Sequence, residues 1–272
     1  MKKALALTLL ALALVACATS PTGRRQLMLV SPDQAISASK TAYVQQMKAF
    51  DDKGLISDDP AVVDRINVIT GRLVAQAIKM YPKTASWEWS VEVIDDPKMV
   101  NAWAMAGGRM AIYTGLIEQT KATDDEIAQV MGHEIAHALA NHTAERMSVA
   151  MATQLGVLAV GVSTRDDRAM AGAATAAVLA INLPNSRTAE TESDRIGIEL
   201  AAKAGYHPDA AASLWKKMEK AGGSGPPQFL STHPSPGNRQ ETLAKLAPRM
   251  MPYYQAAQRQ APPVYPIKPG SY

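Results

Sequence analysis

The sequence predicts an α+β fold that is mostly helical. Apolar residues recur every three or four positions through most of the chain, as they do on the buried face of a helix. Only residues 87–93 alternate apolar and polar side chains, as a strand with one solvated face does. Of the 272 residues, 47% are hydrophobic and 19% are charged, which is enough apolar material for a sizeable core. A disordered or fibrous chain is therefore excluded.

Residues 1–16 have the pattern of a secretory signal peptide. Two lysines precede an apolar run of about 13 residues, which is shorter than the roughly 20 residues that span a bilayer. The run ends in LVAC, which is similar to a bacterial lipobox, so we expect lipidation of Cys17 and a lipidated tether over residues 17–30. An export signal with a free thiol is the alternative. Because Ala18 follows the cysteine, we expect a location on the periplasmic face of the outer membrane.

Two capped helices are expected before the strand. Ser31 and Gln34 have the spacing of a capping box and predict a helix over residues 31–50. Asp59 precedes a proline that suits the first helical turn, and apolar residues then recur at helical intervals, which predicts a second helix. The apolar residues of this second helix are Val63, Ile66, Ile69, Leu73 and Ala77.

A small sheet is expected next. In residues 87–93, every second side chain, including Glu92, would face solvent. Two further short strands are predicted near residues 99–105 and 109–114, with Gly107-Gly108 supplying the turn between them.

The second half of the chain is expected to be helical. Thr123 and Glu126 form a second capping box, with acidic residues in the first turn. Two apolar segments further on are interpreted as buried helices, with a membrane-contacting surface as the alternative. The Pro-rich tail, residues 251–272, is expected to be extended or disordered. The predicted helices cover residues 123–147, 147–163, 169–183, 186–204, 208–220 and 237–250.

The sequence HEIAH, from His133 to His137, lies in the middle of the first of these helices. A spacing of four residues puts both imidazoles on one helix face, where they can bind one metal ion. Glu134 would project beside that ion, where a carboxylate can take a proton from an attacking water. Because the chain has a single cysteine, any metal must be held by His, Asp or Glu. The motif predicts a metal site, and two structural histidines are the alternative.

A third ligand is expected downstream, because a catalytic zinc ion takes three protein ligands. Residues 186–194 read SRTAETESD, in which Glu190 and Asp194 lie one helical turn apart on the same face. We expect Glu190 to bind the metal and Asp194 to accept the outer N–H of a ligand histidine, which would fix the tautomer of that histidine. A solvated acidic face is the alternative interpretation.

A resemblance to a known family rests on these motifs and on two others. One is NAW at Asn101 followed by Gly107-Gly108, and the other is His233-Pro234 followed by Arg239. The chain resembles the gluzincin metallopeptidase family that includes HtpX and the CAAX prenyl proteases, over about residues 23–239. The resemblance implies a metallopeptidase domain over residues 31–250. Its gluzincin core would contain an HEXXH active-site helix, a second ligand helix and a small edge sheet.

The resemblance also implies the chemistry of the site, with one zinc ion per chain. Glu134 would act as the general base, and Asp194 would support a ligand histidine. His233, in the downstream His-Pro motif, would approach the zinc as a gate or assist the reaction, and a loop histidine without a role is the alternative. The implied zinc ligands are His133, His137 and Glu190.

The predicted function is that of a lipid-anchored zinc endopeptidase acting on unfolded or misassembled cell-envelope proteins. Residues 101–114 resemble the substrate-aligning strand of the family, which binds extended peptide through main-chain hydrogen bonds. The first alternative is an outer-membrane protein assembly factor or chaperone whose site His233 holds closed. The second is a structural lipoprotein with an accidental motif. The net charge is +3, and it falls to +1 without Lys2 and Lys3 of the signal segment; this near balance argues against nucleic acid as a partner.

Overall fold

The computed structural model describes residues 17–164, 186–221, 227–234, 237–268 and 270. The predicted signal peptide and the helix predicted over residues 169–183 lie outside these ranges. The chain divides into two compact units. Unit 1 comprises Met1–Ala35 and Asn141–Leu183, and unit 2 comprises Ile36–Ala140 and Pro184–Tyr272.

Helices dominate the described residues, as the sequence predicts. The strands are β1 (Cys17–Thr19), β2 (Arg25–Leu27), β3 (Ser90–Ile94), β4 (Ala102–Ala104) and β5 (Arg109–Tyr113). The described α-helices are α1 (Pro32–Asp51), α2 (Pro60–Met80), α3 (Thr114–Thr120), α4 (Asp124–Leu139), α5 (His142–Thr164), α6 (Arg187–Lys203), α7 (Ala210–Ala221), α8 (Gln228–Thr232) and α9 (Arg239–Arg259). A short 3-10 helix, Pro82–Ser86, follows α2.

Unit 1 contains a hairpin and a long helix. Strands β1 and β2 pair antiparallel, with Cys17 opposite Leu27. The guanidinium of Arg24 donates two hydrogen bonds of 2.6 Å to the carboxylate of Glu145, near the start of α5. The segment predicted to be a tether therefore contains an ordered hairpin that is held to the first turns of α5.

The rest of α5 is more exposed than predicted. Val149, Met151, Leu155 and Leu158 are 41%, 43%, 57% and 63% exposed. The prediction of a buried helix over residues 147–163 is therefore wrong for these four side chains. Among the described helices, none is both long and apolar enough to cross a membrane.

Unit 2 combines a three-stranded sheet with a group of packed helices. The strand order is β3-β5-β4, with β3 parallel and β4 antiparallel to β5. Helix α4 is central, since it packs against α2, α6, α7 and β4. The apolar stripe predicted for α2 is buried at Ile66, Ile69, Leu73 and Ala77. Strand β3 begins three residues later than predicted, because the 3-10 helix leads directly into Trp87.

The helix predicted over residues 123–147 ends early. Helix α4 stops at Leu139, and a separate helix, α5, begins at His142. Between them, Asn141 has a φ of 56°. This left-handed conformation is incompatible with a continuing right-handed helix, and asparagine adopts it more readily than most residues.

The C-terminal segment is more ordered than predicted. Helix α9 continues to Arg259, nine residues beyond the predicted end at residue 250. After α9, the Tyr265 N–H donates to the Gly71 carbonyl at 3.0 Å. The Gly270 N–H donates to the Glu92 carboxylate at 2.7 Å, so this residue of β3 is partly covered instead of fully facing solvent. The prediction of a disordered tail is therefore wrong for these residues, because main-chain contacts anchor them to unit 2.

Candidate metal centre

Two histidines on α4 meet at the centre of unit 2. The helix starts with the predicted capping box, in which Thr123 and Glu126 exchange hydrogen bonds of 2.9 and 3.3 Å. From Glu126 onward the helix is buried, so its polar side chains face other protein groups. The Nε2 atoms of His133 and His137 lie 3.0 Å apart. The four-residue spacing therefore aims both ring nitrogens at one point.

Helix α6 brings a carboxylate to the same point. Ser186 caps the helix by accepting a hydrogen bond of 3.1 Å from the Ala189 N–H, and Glu190 follows in the first turn. Glu190 Oε2 lies 3.3 Å from His133 Nε2, and Glu190 Oε1 lies 3.3 Å from His137 Nε2. Glu190 is fully buried. The structure thus brings together the three residues that the sequence predicts as ligands.

The geometry of these three side chains fits one zinc ion. In a tetrahedral site, zinc bonds to nitrogen and oxygen are about 2.0–2.2 Å long, which places neighbouring ligand atoms about 3.3–3.6 Å apart. The observed separations of 3.0 to 3.3 Å are close to this range. Glu190 Oε1 is buried and accepts no hydrogen bond from the described residues. A buried carboxylate oxygen without a donor is costly unless a cation balances it, so the donor set suits a metal.

Asp194 lies one turn after Glu190 and contacts the other side of His133. Its Oδ1 atom is 3.0 Å from His133 Nδ1. A proton on Nδ1 can then be donated to the carboxylate, which leaves the Nε2 lone pair directed at the metal position. This is the arrangement that the sequence predicts for Asp194.

Glu134 lies between the metal position and the sheet. Its Oε2 atom accepts a hydrogen bond of 3.3 Å from the Ala104 N–H, at the end of β4. Its Oε1 atom accepts none from the described residues and lies 3.3 Å from His233 Nε2. Burial raises the pKa of Glu134 to about 8. A carboxylate with a pKa near neutrality can both take up and release a proton at physiological pH.

His233 joins the site at the end of α8. It is 5% exposed, and its ring stacks on Phe229 with the ring centroids 4.2 Å apart. One ligand atom from each of His133, His137, Glu190 and His233 can be chosen so that all four lie within 4.8 Å of one another. Burial lowers the pKa of His233 to about 3, so its imidazole is neutral at physiological pH.

The electrostatics of the site favour an ionised Glu190. Burial alone would raise the pKa of this carboxyl, but the neighbouring imidazoles of His133 and His137 hold its pKa well below its usual value. An ionised carboxylate is the form that binds a divalent cation.

Two further side chains lie at this site without a role that the sequence predicts. Arg239, matched only to a family motif, donates hydrogen bonds to both Glu190 and Asp194. Trp215 contacts the ring of His133 in an edge-on arrangement, with a centroid distance of 6.0 Å. Nothing in the sequence around a single tryptophan in a helix indicates that its side chain will contact a metal site. Among the described residues, His142 and His207 do not join the group that could hold a metal.

A comparison with known protein families identifies the chain. Residues 60–247 match the model of Peptidase family M48. The chain belongs to this family. Family M48 consists of metallopeptidases, and the buried His/Glu cluster fits the single zinc ion that such a peptidase uses. The expected fold, a mostly helical gluzincin core with a small sheet, is confirmed.

The M48 chain is also similar to several curated proteins. It is 32% identical over 243 residues to the mitochondrial metalloendopeptidase OMA1 of Bos taurus, covering 85% of this chain and 46% of the relative. It is 37% identical over 157 residues to the mitochondrial metalloendopeptidase OMA1 of Arabidopsis thaliana, covering 58% and 31%. The beta-barrel assembly-enhancing protease of Yersinia pestis is 29% identical over 225 residues, covering 78% and 43%. This M48 chain spans less than half the length of each of these three relatives.

These comparisons correct the predicted location. The OMA1 proteins of Bos taurus, Arabidopsis thaliana and Homo sapiens are all named as mitochondrial. The prediction of a location on the periplasmic face of the outer membrane is therefore wrong. That prediction depended on a single residue, Ala18, beside the lipobox-like sequence.

Proposed function

We propose that the protein is a zinc-dependent endopeptidase that hydrolyses peptide bonds of unfolded or misassembled cell-envelope proteins. One observation carries this proposal. Four side chains from two helices, namely His133, His137 and Glu190 with Glu134 beside them, converge in one buried site with spacings that suit zinc. The metalloendopeptidase names of the curated relatives support the same reaction class.

The residues of the site divide the proposed reaction between them. His133, His137 and Glu190 would hold the zinc, which when bound supplies Lewis-acid polarisation to the scissile carbonyl and the attacking water. Glu134 takes the proton from the water at Oε1 or Oε2 and delivers it to the leaving amine. Asp194 holds His133 in the tautomer that presents Nε2. No covalent enzyme intermediate is required.

Strand β4 supplies a binding surface for an extended polypeptide. In the described sheet, β4 pairs only with β5 and therefore forms an edge. An extended peptide can add to such an edge through main-chain hydrogen bonds, which depend little on side-chain identity. The edge ends at Ala104, whose N–H contacts Glu134, so a bound peptide would pass beside the base. Unfolded chains offer such segments, and the Yersinia relative is named for beta-barrel assembly.

The test combines metal analysis with hydrolysis of casein as an unfolded substrate. We expect one zinc per chain in the parent and in Glu134→Gln, but turnover in the parent only, because the substitution removes proton transfer and keeps the ligands. Glu241→Gln, on the exposed surface of α9, is the matched control and should cleave like the parent. Absence of zinc from the parent, or equal activity of Glu134→Gln, would overturn the proposal.

A gated site is the second candidate, and the position of His233 favours it. Its Nε2 atom lies 3.3 Å from Glu134 Oε1, so it occupies the space beside the base. In this case the protein would bind misassembled chains and cleave them rarely. Substitution His233→Ala should then raise casein hydrolysis above the parent level. A fall in hydrolysis would instead assign His233 an assisting role in the reaction.

We further propose that the N-terminal region attaches the protein to a membrane through a lipid on Cys17. The lipobox-like LVAC sequence supports this attachment. Within unit 1, Met151, Leu155 and Leu158 form an exposed apolar stripe at intervals of four and three residues on α5, which suits contact with a lipid surface. Expression in a bacterial host with radiolabelled palmitate tests the proposal. Incorporation into the parent but not into Cys17→Ser is expected, and no incorporation into the parent would contradict it.

A further inference from the structure

Arg239 begins α9 and reaches into the buried site. The residue is 3% exposed, and its guanidinium carbon lies 3.4 Å from the centroid of the Trp215 ring. Its Nη1 atom donates to Glu190 Oε2 at 3.2 Å, and its Nη2 atom donates to Asp194 Oδ1 at 2.5 Å. One cation from α9 therefore contacts both carboxylates that α6 contributes to the site.

The charges of the site explain why a cation belongs there. Glu134, Glu190 and Asp194 are three buried carboxyl groups, so their ionised forms would place three negative charges in the site. A zinc ion supplies two positive charges and Arg239 supplies the third. Without Arg239, the buried site would carry an uncompensated negative charge, which is costly in a low-dielectric interior.

The hydrogen bonds of Arg239 also restrict how the two carboxylates rotate. The contact with Glu190 is made by Oε2, whereas Oε1 accepts no hydrogen bond from the described residues. Asp194 Oδ1 receives both the Arg239 hydrogen bond and the contact from His133 Nδ1. A planar guanidinium with two parallel donors can hold two carboxylates in a defined relative orientation, which a single ammonium group cannot do.

From this geometry we propose that Arg239 is a positioning residue for the metal centre. It acts through Glu190 and Asp194, sets the orientation of the Glu190 ligand and thereby determines zinc affinity and coordination geometry. The inference depends on the proposed zinc site. A purely structural role, in which Arg239 only packs on Trp215 and joins α9 to α6, is the competing explanation.

The experiment compares Arg239→Met, Arg239→Lys and the parent as full-length chains. Zinc affinity is measured by competition with a chelator, and the ligand geometry is read from the visible absorption of the cobalt-substituted protein. We expect Arg239→Met to bind zinc about 10- to 100-fold more weakly and to show an altered cobalt spectrum. Arg239→Lys should recover part of the affinity through its charge but should not recover the parent spectrum. Lys245→Met, an exposed lysine on the same helix, is the control and should match the parent.

The outcomes separate this inference from the proposed function. If the parent binds no zinc, the proposed function fails first. The parent could bind zinc while both Arg239 variants bind it with the same affinity and the same cobalt spectrum as the parent. That result would overturn only the positioning role, and a loss of thermal stability in the variants would not change this conclusion. Should Arg239→Met fail to fold, Arg239→Lys decides alone, since a parent-like cobalt spectrum in that variant contradicts the proposal.

Discussion

The backbones of Gly132 and Gly197 touch where α4 crosses α6. A Cβ atom on Gly197 would lie 2.8 Å from the backbone nitrogen of His133, and one on Gly132 would lie 3.0 Å from the Gly197 carbonyl oxygen. The first distance is shorter than Cβ atoms normally show, and the second is tighter than most such contacts. The absence of Cβ atoms at this crossing lets the helix with the histidines and the helix with Glu190 approach closely enough to share one site.

Substitution Gly197→Ala should therefore separate the two helices. We expect a loss of about 1–3 kcal/mol in the free energy of unfolding, as is usual for overpacking, together with weaker zinc binding. Gly156→Ala, in α5 with open space around its Cβ position, is the control and should be as stable as the parent or more so. Chemical denaturation and chelator competition measure both effects. Parent-like values of both for Gly197→Ala would show that the crossing has room to adjust.

The capping box of α4 should make stability depend on pH. Burial alone would raise the pKa of Glu126, but Lys217, the Thr123 N–H and Ser213 bond its carboxylate and hold its pKa below the usual value. The stabilisation is therefore present above the unfolded-state pKa and is lost as pH falls through the folded-state pKa. Glu126→Gln should be less stable than the parent by about 1 kcal/mol at pH 7, with the difference shrinking as the pH falls through the folded-state pKa of Glu126.

The measurement for Glu126 is urea denaturation at several pH values with a chelator present, so that metal release does not contribute. Glu219→Gln, on the exposed surface of α7, is the control substitution. A stability difference between Glu126→Gln and the parent that does not shrink at acidic pH would contradict the assigned role of the carboxylate.

Removal of zinc should lower the thermal stability of the protein. The proposed ligands come from α4 and α6, and a metal that binds only the folded chain stabilises it by mass action. At a free zinc concentration about 1,000 times the Kd, this stabilisation is about 4 kcal/mol. Calorimetry with a chelator should show a lower Tm, which added zinc restores and added magnesium does not. An unchanged Tm would argue against zinc binding at this site.

The C-terminal segment should contribute to the stability of unit 2 through its contact with α2. A Cβ on Gly71 would lie 2.5 Å from the Tyr265 carbonyl oxygen, so Gly71→Ala should displace the segment. We expect a loss of about 1–3 kcal/mol in the free energy of unfolding. The same substitution in a chain that ends at residue 260 should cost much less, because the clashing residues are gone. Equal losses in both backgrounds would place the effect within α2 itself.

Local sequence signals predicted most of the helices and the composition of the site. Capping residues such as Ser31, Asp59 and Thr123 marked helix starts that the structure confirms. Local signals failed where a distant contact decided the outcome. The C-terminal residues were expected to be disordered because prolines and polar residues suggest no core, yet main-chain hydrogen bonds to Gly71 and Glu92 anchor them.

The sequence by itself determined which side chains share a helix face. His133 and His137 share one helix face, and Glu190 and Asp194 share another, because residues four positions apart lie one helical turn apart. Only the tertiary structure decided that the two faces meet, that His233 lies beside Glu134, and that Arg239 contacts both acidic residues of α6. The two contacts of Arg239 join residues 49 and 45 positions apart, and they depend on how buried helices pack, which no local periodicity encodes.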